Sequence, residues 1–313
     1  MSKIRNVSSL KQEIRVWTAK DKDLNLESEN KGIYNNQNKE KFWLEKFDCF
    51  SVTGKDSKRF LNGITTGNIV DLNNKVLKSC WLSPNGILKS LLEINCSENE
   101  LKVIVLVGNT SEIRKYFNDI IFPSDDVSLS DIFPINRLQQ VDDMNSWRIT
   151  QPIFLKNEDK KYDFYKNNPN SMNTNDLQLW KINQAIPSLN SEINGKNNPL
   201  ELGFTDLIDF NKGCYLGQET MSKIKNVSSL KQEIRVWTAK DKDLNLESVN
   251  KILFNNKNKE KSVGYITSIY VLESRIIKGL AMIKRKYLDK GNPFFSDNFG
   301  QILLEKSVGS IFL

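Results

Sequence analysis

The chain has 313 residues, and its 39% hydrophobic content, with 16 Phe and six Trp, is that of a globular protein with room for two domains. There is no histidine, which excludes a Ser-His-Asp triad and any histidine-ligated metal, and the four cysteines form no Cys-x-x-Cys pair. The formal charge is +7, of which residues 1–41 supply nine Lys/Arg against six Asp/Glu. So mild an excess reads as solvated lysines and argues against direct nucleic-acid binding. No apolar run approaches the roughly 18–20 residues of a membrane span, and the polar N-terminus resembles no secretory signal. The expected address is the cytoplasm, with free thiols.

The first segment repeats an interior one. Residues 1–41 align without a gap to residues 221–261 and differ only at positions 5, 29, 32, 33, 34 and 37. A single extra copy is too little for a repeat array. Residues 1–41 are therefore expected to be a non-functional appendage.

From Phe42 the pattern is α+β. Phe47 to Val52 reads as a strand stopped by Gly54, and Asp56 stands at the N-cap position of a helix over SKRFLNGI. Lys75–Leu82 and Ile87–Ile94 flank the turn SPNG and predict a hairpin. Leu101–Val107 is a third strand. A helix capped by Thr110 and Ser111 should follow to about Ile121. The middle holds short strand-like pieces, a loop over 165–176, a helix over Leu177–Ile186 ended by Pro187, and an irregular stretch over 191–202. Beyond Cys214, SLKQEIRVW, SVGYITSIYVL, GLAMIKR and QILLEKSVG read as strands of a small antiparallel barrel.

The stretch richest in chemistry is Asn211 to Glu219, NKGCYLGQE. Gly213 and Gly217 permit positive φ or close approach to a ligand. Lys212, and a helix starting near Gly217, would favour a thiolate at Cys214. Tyr215 offers a face for a flat heterocycle, and Gln218 and Glu219 offer polar groups for its edge. The competing reading is a tight turn around a buried cysteine. Cys49, Cys80 and Cys96 lie in apparent strands and read as core. Trp81, beside the hairpin turn, is either core or part of a channel lining.

KGCYLGQE resembles the signature of YgfZ-type folate-binding proteins, relatives of the glycine-cleavage T-protein. VTGKDSKRFLNGITTGNI, WLSPNGILKS, INQAIP, SVGYITS and GLAMIKR are similar to further family segments in order and spacing, so the resemblance covers residues 42 to 313. Ala185 stands where the family usually has Gly, and Lys181 where Arg is common. The resemblance implies a three-lobed α+β fold around a central channel with a C-terminal antiparallel barrel. The implied layout is a folate-binding core over 42–225, ending in the cysteine loop that faces the channel, and a barrel over 226–313. It further implies tetrahydrofolate, with or without a polyglutamate tail, as cofactor. Its implied partners are iron–sulfur client enzymes or assembly proteins, and through them it implies a link to tRNA modification. Carried over by position, Cys214 is the key thiol, and Lys212, Gly213, Tyr215, Gly217, Gln218 and Glu219 surround it, with Trp81 as a possible channel residue. No metal ligand is expected.

Whether the protein is an enzyme stays open. The alternative is a folate-dependent aminomethyltransferase, whose carboxylate would come from Asp206, Asp209 or Glu219. The Cys-Tyr pair argues against it, since T-proteins carry Asp-Phe there. A folate sensor with an inert thiol is a third reading. Lysines at the channel mouth are expected to attract the polyanionic glutamate tail.

Overall fold

The computed structural model describes residues 41–72, 75–97, 100–143, 148–149, 151–168, 171, 174–227, 230–240, 249–272, 276–290 and 293–306. The leading copy of the duplicated segment, residues 1–40, lies outside them, as does the end of QILLEKSVG.

The first strand, β1 (Lys41–Thr53), is the organising strand of an eight-stranded antiparallel sheet. Helix α1 (Ser57–Ile64) follows, then β2 (Val76–Leu82), β3 (Leu88–Cys96) and β4 (Leu101–Val107). Next come α2 (Thr110–Asp119), β5 (Ser128–Leu129), β6 (Phe133–Asp143), β7 (Arg148–Ile149) and β8 (Ile153–Leu155). The main order is β2-β3-β4-β1-β6-β7. β1 pairs β4 on one side (Cys49 opposite Ile104) and β6 on the other (Phe47 opposite Ile135).

The predicted hairpin is β2–β3, and its turn is SPNG. Asp56 is the N-cap residue of α1, as expected, but without a side-chain cap bond, and α2 is capped by a residue other than the expected pair. The Asp56 side chain instead accepts from the Asp126 backbone N–H at 3.0 Å. Asn109 caps α2 by accepting from Glu112 N–H, one residue before the predicted pair.

Alternation along β3 divides the core. Leu92 and Ile94 face α1 and α2, where they pack with Phe50, Leu61, Val103 and Phe117. Leu91 and Glu93 point from the opposite face, towards the barrel.

Helix α3 (Lys160–Lys166) and the first residues of α4 (Thr174–Asn183) occupy part of the stretch expected as loop, while the rest of α4 is the expected helix, ending three residues before Ile186. Irregular chain over 184–217, with a 3-10 turn at Thr205–Leu207, leads to α5 (Gln218–Val227). Six strands then close a barrel: β9 (Gln232–Lys240), β10 (Ile252–Phe254), β11 (Ser262–Val271), β12 (Ile276–Lys284), β13 (Phe294–Ser296) and β14 (Gly300–Lys306), in the order β10-β11-β12-β9-β14-β13. The two three-residue strands were not legible in the sequence. Alternation on β12 sends Ile277, Ala281 and Ile283 into the barrel around Trp237. Leu280 and Met282 point outward and join Leu91, Leu82 and Tyr215 in a second core shared with the sheet. Among the described residues no helix is long and apolar enough to cross a membrane.

Candidate functional site

The cysteine loop is sewn onto the end of α1. Lys212 is buried, and its ammonium donates to the carbonyls of Asn62, Thr65 and Gly67 at 2.6–2.7 Å. These carbonyls cluster where α1 ends, the negative pole of its dipole, so a cation is stabilised there. Asp209 Oδ1 accepts from the N–H groups of Asn211 and Lys212, and Leu216 N–H donates to Gly63 O at 3.0 Å.

Gly217 has φ +84°, and a Cβ there would lie 2.9 Å from Ser83 O. Only glycine makes this turn without strain, and α5 begins at the next residue, as expected. On the other side of the contact, a Cβ on Gly86 would come within 2.7 Å of Met221 Cε. Hairpin turn and helix start therefore touch through glycine at both positions.

Of the four cysteines, Cys214 alone is exposed. A Cβ on Gly213 would meet nothing within 4 Å, so the chain is open beside the thiol. Glu219 is exposed and pairs with Lys223 at 2.6 Å, while Gln218 Nε2 approaches Lys212 O at 3.5 Å.

Three of the predicted roles change. Lys212 has all three ammonium hydrogens engaged by carbonyls, so it serves the loop's shape and has none left over for a Cys214 thiolate. Tyr215 is 6% exposed, packed in the core with the Lys212 ammonium 4.9 Å from its ring centre, and offers no free face for stacking. Its buried hydroxyl has no hydrogen-bond partner among the described residues, and burial pushes its pKa up to about 12. Trp81 packs against Tyr116 (5.1 Å) and Phe117 (5.9 Å) in the core beneath α1 and α2.

A cavity of about 450 Å³ lies between the sheet and the barrel. Its walls include Trp43 and Glu45 of β1, Lys78 of β2, Arg137 and Gln139 of β6, Trp180 and Lys181 of α4, and Tyr270 of β11. No residue of the 211–219 loop, and neither Trp81 nor any of the proposed aminomethyl-transfer carboxylates, is among its lining. Loop and cavity are instead joined back to back, because Leu91, Ile182 and Leu280 line the cavity and pack in the same core as Tyr215.

The cavity floor is charged. Glu93, fully buried, receives Arg137 through two bonds, Nε–Oε2 at 2.6 Å and Nη2–Oε1 at 2.7 Å. The Lys78 ammonium stands 4.0 Å from Glu93, and Arg137 also donates to Gln139 at 2.7 Å. Burial brings the Lys78 pKa down to about 8, against the opposing pull of Glu93. At the more exposed end Lys181 pairs with Glu45 at 2.5 Å. Trp43 and Trp180 lie 4.4 Å apart, tilted by 50°. One wall is pinned by Glu192, which accepts from Ser188 N–H and Oγ and from Ser268 Oγ.

Lys78, Glu93 and Arg137 were missed in the sequence, although each is a charge set among apolar strand neighbours (VLKSCWL, SLLEINC, FPINRLQQVDD). Among the described residues no group of three or more acidic or thiol side chains is placed to hold a metal ion.

This sheet, helices and closed barrel define the aminomethyltransferase-T-like α+β fold. Glycine cleavage system aminomethyltransferase T from Bartonella henselae superposes with a TM-score of 0.67, at 10% identity, over 89% of this chain and 88% of that one. An uncharacterized protein of Haemophilus influenzae is 22% identical over 279 residues, 84% of this chain and 95% of the relative. A putative chloroplastic transferase of Arabidopsis thaliana is 37% identical over 54 residues, 17% of this chain and 12% of that protein. No family model matches the chain.

Proposed function

We propose that the protein is a tetrahydrofolate-binding protein of the YgfZ type, with the folate held in the cavity between sheet and barrel and Cys214 as the working thiol. In this reading it maintains iron–sulfur enzymes in the cytoplasm and, through them, supports tRNA modification.

The observation that carries the reading is the state of Cys214. It is the exposed thiol of four, on a loop whose shape is fixed by Lys212 and Gly217 and whose sequence resembles the family signature. The cavity fits the cofactor: about 450 Å³ falls within the range of small-molecule sites, and its lining joins aromatic walls to a positive floor. Half-buried Tyr270 would meet a flat ring, the buried Trp43–Trp180 pair backs the apolar wall, and Lys78 and Arg137 make the polar end. Tetrahydrofolate, when bound, supplies a carrier for one-carbon groups. The chain's own residues fix the walls, exclude water from the floor and hold the thiol outside.

The aminomethyltransferase alternative is less well supported. Asp209 is occupied by two loop amides, Glu219 by Lys223, and the carboxylate in the cavity lining, Glu45, by Lys181.

The test is a folinic acid titration of wild type and Cys214→Ala, beside the activity of an iron–sulfur enzyme in cells carrying either. The expected result is equal folate affinity, with the cellular activity lost in the variant. Wild-type cellular activity in Cys214→Ala would remove the thiol from the mechanism. An absence of folate binding by the wild type would remove the cofactor.

A further inference from the structure

We infer that Arg137 is a ligand-binding residue of the cavity as well as the partner of Glu93, and that its Nη1 donates to one sp2 oxygen of the bound molecule. The inference deepens the folate reading, which names a candidate molecule; the donor itself follows from the geometry alone.

The pairing of β6 with β1 sets which way Arg137 points. Arg137 lies opposite Glu45, and Gln139 lies opposite Trp43. All four belong to the cavity lining. Leu138, between the two β6 residues, packs with Phe42 on the other face of the sheet. The Arg137 side chain therefore runs along the cavity floor to reach Glu93, and it is only 6% exposed.

A guanidinium has five N–H groups and no acceptor, and it stays protonated throughout the ordinary pH range. Glu93 takes the Nε and Nη2 edge, and Nη2 donates a second time to Gln139 Oε1. Nη1, with its two N–H groups, has no acceptor among the described residues. The carboxylate directly opposite, Glu45, is held by Lys181. The side chains of Phe47, Leu91 and Leu106 in the same lining carry no acceptor.

A donor left unpaired out of water is costly, and more so on a charged group. Because the guanidinium is planar and pinned at Nε and Nη2, the direction of Nη1 is fixed before anything binds. Its side edge is spent on Glu93 and its end edge is half spent on Gln139. What remains suits a single sp2 oxygen, either a carbonyl or one oxygen of a carboxylate. Half-buried Tyr270, in the lining from the barrel side, suits a flat ring. The ligand class is a flat molecule that turns a conjugated oxygen towards the sheet.

The experiment titrates wild type, Arg137→Lys and Arg137→Met with folinic acid, benzamide, benzoate and toluene. Benzamide presents a carbonyl, benzoate a carboxylate, and toluene the ring without oxygen. Arg137→Lys keeps a cation for Glu93 and removes Nη1, and melting curves confirm that both variants are folded. Folinic acid and at least one oxygen-bearing fragment are expected to bind both variants about 10- to 100-fold more weakly, as for a lost hydrogen bond to a charged group. Toluene should be unaffected. A loss for benzamide alone identifies the partner as a carbonyl, and a loss for benzoate alone as a carboxylate. Equal binding of folinic acid by wild type and both variants overturns the assignment. An equal loss for toluene also overturns it, since Arg137 would then only shape the cavity. Arg137-dependent binding of a fragment without any binding of folinic acid sustains the assignment and rejects the folate reading. Binding of none of the four by wild type rejects both.

Discussion

Arg137 grips both carboxylate oxygens of Glu93 across two intervening strands, because β4 and β1 lie between β3 and β6 in the sheet. The two cations around Glu93 make its replacements unequal. Glu93→Gln leaves Lys78 and Arg137 buried against a neutral amide and is expected to cost about 3–5 kcal/mol. Arg137→Met leaves Lys78 to neutralise Glu93 and should cost about 1–3 kcal/mol. Urea denaturation of both variants checks the order, and a larger loss in Arg137→Met would contradict it.

Lys78 also leaves a mark on stability against pH. Its pKa falls from 10.5 in the unfolded chain to about 8 in the folded one. Between those values the unfolded chain binds more protons, so stability from this group rises with pH, and its full cost is felt below pH 8. Lys78→Met, freed of that cost, should melt above wild type at pH 7. The gap should close as pH rises from about 8 towards 10.5. Melting temperatures at pH 7, 9 and 10 test this, and a gap that widens with pH would be the wrong sign.

The thiols should separate cleanly under a labelling reagent. Burial pushes Cys49 and Cys80 up to about 12, and Cys96 is also buried, whereas Cys214 is exposed. One thiol per chain should react quickly in the native protein and four in denaturant. Cys214→Ser should remove the fast phase without shifting the melting temperature.

Lys212 holds three carbonyls at the end of α1, and its loss would leave them buried and unpaired. Lys212→Met is expected to destabilise the protein by about 2–4 kcal/mol. Hydrogen exchange should show the damage centred on α1 and the cysteine loop; a uniform loss of protection would argue against this anchoring.

Ala185 is buried with φ +52°, the left-handed region that disfavours a side chain. This accounts physically for glycine at that position in the resembling family. Ala185→Gly should raise stability by about 0.5–1 kcal/mol, the relief of strain less the added freedom of the unfolded chain. A loss in equilibrium denaturation would show that the methyl's packing outweighs the strain.

What could be read from sequence was local. The SPNG hairpin, α1 and the longer barrel strands announce themselves through turn residues and alternation within a few positions. β10 and β13 are three residues each, too short for a period to show, and only barrel closure makes them strands. Asp56 has the composition of a cap, but its oxygen is taken by Asp126, which is 70 residues away in the chain. Tyr215 and Trp81 look like stacking platforms until the barrel and α2 cover them. The charged floor was hidden for a similar reason: Lys78 and Glu93 are opposite one another in the β2–β3 hairpin, but Arg137 reaches them only when the sheet brings in β6. KGCYLGQE drew attention to a loop in which the lysine and tyrosine build the shape and leave the surface to the cysteine.

The closed barrel bears on the duplicated sequence. β9, from the interior copy, is hydrogen-bonded to β12 along one edge and to β14 along the other. Residues 1–20 repeat residues 221–240, which include β9, with a single change, Arg5 for Lys225. A ring of strands with no open edge has one seat for this sequence. A second copy, from the same chain or another, can enter it by eviction and not by addition, so the architecture turns a repeated sequence into a rival for a single place.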